Sequence, residues 1–240
     1  MAVDRTGTTA APDRARRPCD LCDAAIGKVL DAGELGRLNG IATAVTLEAG
    51  GTAFLEGDDS SYLFNLVSGS LRQSKLLPDG RRQVTGFLFA GDFLGLSTAG
   101  TYPYSAEALT AAALCRFDRV SFIRMLEGLP RLERHLLRLA SRELAQAHDH
   151  LLVLGRKTAT ERIATVLLKL VARIGELGSA GCTLDLPMSR ADLADYTGLT
   201  AETVCRTLTQ LRKRGVIASA GLRGLHIPRL DVLAGYSGDL

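Results

Sequence analysis

The spacing of apolar positions changes character twice along the chain, and the three stretches predict three kinds of structure. From about Ile41 to Phe117, short apolar runs alternate with turn signals: Gly50-Gly51, Glu56-Gly57-Asp58-Asp59, Ser68-Gly69-Ser70, Pro78-Asp79-Gly80 and Gly91-Asp92. Many short strands at regular spacing predict a barrel or jelly roll. The clearest hairpin pairs Leu66–Leu77 with Gln83–Phe89 across Pro78-Asp79-Gly80, where Pro presets φ and Gly tolerates a positive one.

Between Asp118 and Gly155 the period lengthens to that of a helix, with Gly128-Leu129-Pro130 as a turn and helix start. Leu137, Ala140, Leu144, Ala147, Leu151 and Leu154 step by alternating threes and fours, which is a heptad seam. Such a seam could lie on the chain's own strands. A second apolar set, Leu132, Leu136 and Leu139, can serve that purpose, which leaves the seam for a parallel homodimer, and no charge on it holds two copies apart.

Arg156 to Leu240 reads as a helix (Ala159–Ile174), a loop (Gly175–Gly181), a short strand, two short helices and a terminal hairpin. Ser189 and Asp192 form a capping box that starts a helix at Arg190. Gly198 allows the chain to turn steeply, and Thr200 caps the next helix. This is helix-turn-helix spacing. On the second helix Glu202, Cys205, Arg206 and Thr209 share one face, while Val204, Leu208 and Leu211 share the other. Val216–Ala220 and Leu222–Ile227 make a hairpin around Gly221, with Arg223 at its tip, so the motif is winged.

An arginine on such a face can donate two parallel hydrogen bonds to guanine, and a carboxylate one turn earlier can accept from a cytosine amine. The expected base contacts are Glu202, Cys205 and Arg206; the expected phosphate contacts are Ser189, Arg190, Thr200, Thr203, Thr209, Arg212, Lys213 and Arg223. A Glu-Arg pair four apart is ordinarily a surface salt bridge, and a terminal Lys/Arg cluster a solvated helix end. Two caps, the Gly turn and the wing make double-stranded DNA the stronger reading, helped by twelve basic against eight acidic residues over 156–240.

The chain has 240 residues, 46% hydrophobic and 23% charged, enough for one large domain or two small ones with a self-sufficient core. No apolar run approaches membrane length and Met1–Pro18 lacks a signal core, so a cytoplasmic protein without membrane partners is expected. A net charge of +3 says little by itself. Five cysteines, two of them in Cys19-x-x-Cys22, point in a reducing compartment to metal, redox chemistry or nothing, and not to a disulfide framework.

From about Leu35 to Leu230 the order of parts resembles bacterial transcription regulators of the CRP/FNR superfamily, closest to the FNR/FixK branch. The residues that carry the resemblance are Leu199-Thr200-Ala201-Glu202-Thr203-Val204-Cys205-Arg206, Asp79-Gly80-Arg81-Arg82-Gln83-Val84-Thr85-Gly86-Phe87 and Ala90-Gly91-Asp92-Phe93-Leu94-Gly95. The expected architecture is α+β: an N-terminal arm with the Cys pair (1–34), a jelly-roll domain like a cyclic-nucleotide-binding domain (35–128), a dimerisation helix (129–155) and a winged helix-turn-helix domain (156–240).

The resemblance implies a transcription regulator, in most cases an activator, that recruits RNA polymerase through a sigma-subunit contact at Asp79, Gly80, Arg81 and Arg82. It also implies a palindrome of TTGAT-like half-sites, centres about 34 Å apart, and genes of low-oxygen respiration, denitrification or nitrogen fixation. Cyclic-AMP-binding members carry a ribose-binding Glu and a phosphate-binding Arg after the Gly-Asp-Phe strand end; here Tyr104 stands at the Arg position and no Glu is present. A buried cyclic phosphate needs a cation, so a structural or partner-binding roll is expected. Oxygen sensors of the FNR type hold an iron-sulfur cluster on four cysteines. Cys19, Cys22 and Cys115 fall at three of those places, but Lys28 stands at the fourth, and Asp20, Asp23 or Cys182 would have to substitute. No cofactor is therefore expected, with the cluster, or a zinc or thiol switch, as the competing readings.

In place of the FNR-like Glu-x-x-Ser-Arg this chain has Glu202-x-x-Cys205-Arg206. A thiol packs well against a thymine methyl, and an exposed thiol beside Arg206 is a redox candidate, since oxidation would place bulk or charge against DNA. A cupin enzyme is the rival reading of the Gly-rich strands. It is rejected because His135, His148, His150 and His226 all lie outside the β region. The same superfamily also contains haem gas sensors and cyclic-nucleotide regulators, and the sequence leaves both of these readings open.

Overall fold

A computed structural model describes residues 29–97, 99–221 and 223–238. The described residues divide into two compact units, one within 29–81 and 85–142 and the other within 82–84 and 143–238.

The first unit opens with α1 (Ala32–Ile41), a helix the hydrophobic pattern does not announce. Asp31 accepts from the Glu34 backbone at 2.8 Å and Glu34 reaches back to the Asp31 backbone at 3.0 Å, a reciprocal cap. Eight strands follow: β1 (Ala42–Leu47), β2 (Thr52–Phe54), β3 (Tyr62–Ser68), β4 (Ser70–Leu76), β5 (Arg82–Phe89), β6 (Phe93–Leu94), β7 (Ser105–Ala108) and β8 (Ala112–Asp118). They form two four-stranded sheets, β1-β8-β3-β6 and β2-β7-β4-β5, so the predicted roll is present.

The expected first hairpin arm, Leu66–Leu77, is not one strand. It breaks at Gly69, where β3 leaves one sheet and β4 enters the other. Gly69 has φ +85°, and a Cβ there would sit 2.4 Å from the Ala111 carbonyl oxygen, so only glycine lets the chain cross. The turn signal Ser68-Gly69-Ser70 stands at the break, but the contact that makes the chain change sheets there, with Ala111, is distant in sequence.

Between the sheets Phe54, Phe64, Leu66, Leu71, Leu94, Tyr102 and Leu114 form one buried cluster. A second cluster, with Leu38, Leu63, Phe93, Phe117 and Phe122, joins β8 to α1 and α2 (Arg119–Leu126). The long helix α3 (Pro130–Arg156) begins here and contributes Leu132 and Leu136 to this second cluster. That is the role foreseen for the second apolar set.

In the second unit α4 (Ala159–Ile174) starts at a Thr158–Glu161 capping box. The stretch expected as a loop, Gly175–Gly181, instead contains β9 (Glu176–Gly178), which pairs with β10 (Gly181–Asp185). All three β9 residues are exposed, so no apolar alternation could announce a strand held only by its backbone ladder. Helices α5 (Arg190–Thr197) and α6 (Ala201–Lys213) follow, then β11 (Ala218–Ala220), β12 (Gly224–Ile227) and an unforeseen α7 (Leu230–Gly235). The four short strands make one sheet, β11-β12-β10-β9. The core of this unit buries Ile163, Leu167, Leu184, Leu193, Leu208, Leu211, Ile217 and Leu225.

Candidate nucleic-acid interface

Local sequence builds the interface one cap at a time. Ser189 caps the start of α5: its hydroxyl accepts from the Asp192 N–H at 3.1 Å, and Asp192 Oδ2 accepts from the Ser189 N–H at 2.9 Å. Gly198 ends α5 in the left-handed region, φ +64°. Thr200 then accepts from the Thr203 N–H at 3.1 Å and caps the start of α6. So short a link between helices needs the αL residue, because only it redirects the backbone within one step.

On α6 the apolar face is fully used: Val204, Leu208 and Leu211 are all 0% exposed. Glu202, Cys205, Arg206 and Thr209 are exposed on the other side. Thr209 donates its hydroxyl to the Cys205 carbonyl at 2.9 Å, and the Thr200 and Thr203 hydroxyls lie 2.9 Å apart. Arg212 and Lys213 lie exposed in the last turn, where positive charge meets the negative end of the helix dipole. Arg223 is exposed in the link between β11 and β12, where Gly221 has φ +72°.

Arg190 is the first residue of α5 and is half-buried. Burial holds its guanidinium below the usual arginine range, Arg212 adds to this by repulsion, and the nearness of Cys205 opposes it. Its Nη1 is buried and has no hydrogen-bond partner among the described residues. A guanidinium nitrogen without an acceptor, beside a second cation, is a donor for an anion such as a phosphate. Cys205 is a free, exposed thiol, and Cys182 is a free but buried one.

The seam residues Leu137, Leu144 and Leu151 are 68%, 58% and 65% exposed, and Ala140 and Ala147 are exposed with them. Leu154 differs from the other leucines. It is half-buried, and a Cβ on Gly198 would lie 3.3 Å from its Cδ2, which puts this side chain against the helix-turn-helix of its own chain.

Asp79, Gly80 and Arg81 form the β4–β5 turn, with Gly80 at φ +83° and Arg81 Nε donating to Asp79 Oδ2 at 2.8 Å; Arg82 begins β5. Cys115 is wholly buried on β8 and is disulfide-bonded. Cys19 and Cys22, with Asp20, Asp23 and Lys28, lie outside the described residues. Among the described residues no group of three His, Cys, Asp or Glu side chains is placed to hold a metal ion. In the roll the Tyr104 hydroxyl accepts from the Gly95 N–H at 3.4 Å, and Phe54 stacks on Tyr102 at 3.9 Å between ring centres. Arg72 is ion-paired with Glu107 at 2.6 Å.

Sequence reasoning missed two features of this second unit. One is Arg162 on α4, whose guanidinium donates to three backbone carbonyls. His150 of α3 stacks on Tyr196 of α5, ring centres 4.1 Å apart and planes within 12°. Burial, and after it the charge of Lys169, push its pKa down to about 4 from 6.5. The folded state therefore binds the proton less readily than the unfolded chain. His150 should cost no stability above pH 6.5 and destabilise the unit progressively as pH falls from there towards 4. His150→Phe keeps an aromatic ring on Tyr196 without a titrating group. The melting temperature of the wild type should thus fall relative to this variant over that window, and parallel pH curves would show that His150 is not the group responsible.

Residues 44–128 match the cyclic nucleotide-binding domain family and residues 161–236 match the Crp-like helix-turn-helix domain. The chain is 43% identical over 218 residues to the nitrogen fixation regulation protein FixK of Bradyrhizobium diazoefficiens, covering 90% of this chain and 92% of that one. It is 34% identical to the transcriptional activator protein FnrL of Cereibacter sphaeroides, over 95% of this chain and 90% of that one. Among solved structures, FixK2 from Bradyrhizobium japonicum superposes with a TM-score of 0.77 at 34% identity, covering 83% of this chain and 99% of that one.

Proposed function

The chain belongs to the Crp/FNR family of DNA-binding transcription regulators, and on that premise we propose that it acts as a homodimeric activator of the FixK type. Its site is a palindrome of TTGAT-like half-sites, centres about 34 Å apart. The observation that carries this reading is the division of α6: Val204, Leu208 and Leu211 on one face are fully buried, and the other face presents Glu202, Cys205, Arg206 and Thr209 to solvent. A helix held so firmly on one side and bare on the other has the form of a major-groove reader.

Glu202, Cys205 and Arg206 contact bases. Ser189, Arg190, Thr200, Thr203, Thr209, Arg212, Lys213 and Arg223 hold the phosphates, with the exposed cations Arg212, Lys213 and Arg223 as the clearest donors. Leu137, Ala140, Leu144, Ala147 and Leu151 pair across the two-fold axis, with Leu154 at the edge of that seam. The turn Asp79-Gly80-Arg81-Arg82 is the RNA polymerase contact, and the protein works in the cytoplasm. The regulated genes are those of low-oxygen respiration, denitrification or nitrogen fixation, the last of these being what the name of the FixK relative suggests.

The roll acts without a bound nucleotide. Phe54 and Tyr102 are packed in its core with Tyr104 against them, and Arg72 already has a carboxylate partner. No cofactor is part of this reading; an iron-sulfur cluster involving Cys19, Cys22 and Cys115 is its competitor, and the disulfide at Cys115 counts against it because a cluster needs the thiolate. A second reading, favoured by the exposed free thiol on the groove-facing side, is direct redox control at Cys205.

The test is DNA binding to a TTGAT palindrome before and after air, on protein purified without oxygen and analysed for iron and sulfide. A colourless protein that binds equally well in both conditions supports the relay reading. A brown, sulfide-bearing protein that releases DNA in air replaces it with an oxygen sensor. Hydrogen peroxide converts a thiolate to a sulfenate with loss of water, so peroxide should release the wild type from DNA and leave Cys205→Ser bound. Equal loss in both proteins would rule Cys205 out.

A further inference from the structure

Arg162 lies one turn into α4, outside the reading helix, yet its guanidinium joins three parts of the second unit. Its Nη2 donates to the Leu154 carbonyl at 2.8 Å, Nε to the Lys157 carbonyl at 2.8 Å, and Nη1 to the Thr197 carbonyl at 2.9 Å. Leu154 lies in the last turn of α3, Lys157 is in the two-residue link between α3 and α4, and Thr197 ends α5. Two of these acceptors are helix-end carbonyls that lack an intrahelical partner. The close approach is also steric, since a Cβ on Gly198 would lie 3.4 Å from Arg162 Nη1 and 3.3 Å from Leu154 Cδ2.

Three charge-assisted hydrogen bonds from one planar fork fix direction as well as distance, which a point charge on a flexible stem cannot do. Here α3 carries the seam towards a second copy, and α5 with α6 carries the reading face. The angle between them therefore sets where the face sits relative to the two-fold axis. Helix α6 is 13 residues long, about 20 Å, so an error of about 10° moves its far end by about 3.5 Å, close to the rise of one base pair.

We propose that Arg162 is a positioning residue for DNA recognition: it fixes the angle between the dimer helix and the helix-turn-helix, and so sets the half-site spacing that the homodimer accepts. The inference rests on the palindrome reading above. It assigns spacing to Arg162 and leaves base choice to α6.

The test uses the full chain, Arg162→Gln and Arg162→Lys, on palindromic duplexes whose central spacer is lengthened or shortened by one and two base pairs, with a base change inside a half-site as control. The wild type should prefer one spacing by about tenfold or more. In Arg162→Gln that preference should fall to within about threefold while the penalty for the half-site base change stays as in the wild type, and Arg162→Lys should lie between them. Spacing preference kept in both variants overturns the proposal. So does a parallel loss of spacing and base discrimination, or melting of both variants below assay temperature, since either would make Arg162 a folding residue.

If the wild type binds no palindrome, the reading under Proposed function fails first. The clamp is then judged by amide hydrogen exchange without DNA. Faster exchange in Arg162→Gln confined to the end of α3 and the Thr197–Leu199 turn supports it, and unchanged exchange overturns it.

Discussion

Arg206→Ala lowers affinity for the palindrome by about 2–6 kcal/mol, because each of two half-sites loses a bidentate base contact worth about 1–3 kcal/mol. Since each 1.4 kcal/mol is about tenfold, the smallest expected loss is roughly 30-fold. The fold should not change: Arg206 is exposed on the side of α6 opposite Val204, Leu208 and Leu211, and such surface substitutions usually move stability by less than about 0.5 kcal/mol. Two further readouts separate a base contact from a general loss of charge. Discrimination should relax at one position of the half-site, and the slope of affinity against salt should stay almost as in the wild type. Lys213→Ala is the contrast, weakening all sequences evenly and reducing the salt slope. An Arg206→Ala protein with unaltered base preference would remove this residue from the reading set.

The second large effect is expected at the seam. Leu144→Glu with Leu151→Glu should give a folded monomer at micromolar concentration, read by equilibrium sedimentation. These leucines are 58% and 65% exposed in the single chain, so a carboxylate at either place stays in water and the monomer does not lose a core contact. In a dimer the same positions meet their own copies. Each leucine transferred from water into such a seam contributes on the order of 1.5–3 kcal/mol, and each carboxylate placed there costs several instead. DNA binding should fall with the dimer, by about 1,000-fold at the palindrome, while weak binding independent of sequence persists. A double variant that still sediments as a dimer would place the two-fold contact elsewhere.

The helix-turn-helix was legible because its signals are local. Ser189 and Asp192 are three apart, Gly198 and Thr200 two apart, and each does its work within a turn of where it stands in the sequence. The two faces of α6 could likewise be assigned from the helical period alone, and the structure buries the apolar one completely. In the roll the local signals held less. Turn residues announced a β domain, but the strand break at Gly69 depends on an Ala111 carbonyl far along the chain. Strand β9 has no buried side chain and exists through its pairing with β10, and α7 is too short to display a period.

Leu154 marks the limit of periodicity as an argument. By spacing it continues the seam of Leu137, Leu144 and Leu151, yet it is turned partly to its own chain because the Gly198 turn packs on it. His150 and Arg162 carry no signature at all: one is a histidine on a polar helix, the other an arginine after a cap, and their partners Tyr196 and Thr197 are reached only through the fold.

The sequence by itself thus determined the order of roll, long helix and helix-turn-helix, the Ser189 and Thr200 caps, the division of α6 into an apolar and a polar face, and the family. All of these follow from residue type and spacing over a few positions, where backbone geometry is fixed in advance. Only the tertiary structure decided which carbonyls meet the Arg162 fork, which glycine lets the roll cross between sheets, and how much of the seam stays in water. Those depend on distances between residues far apart in the chain, which no local period encodes.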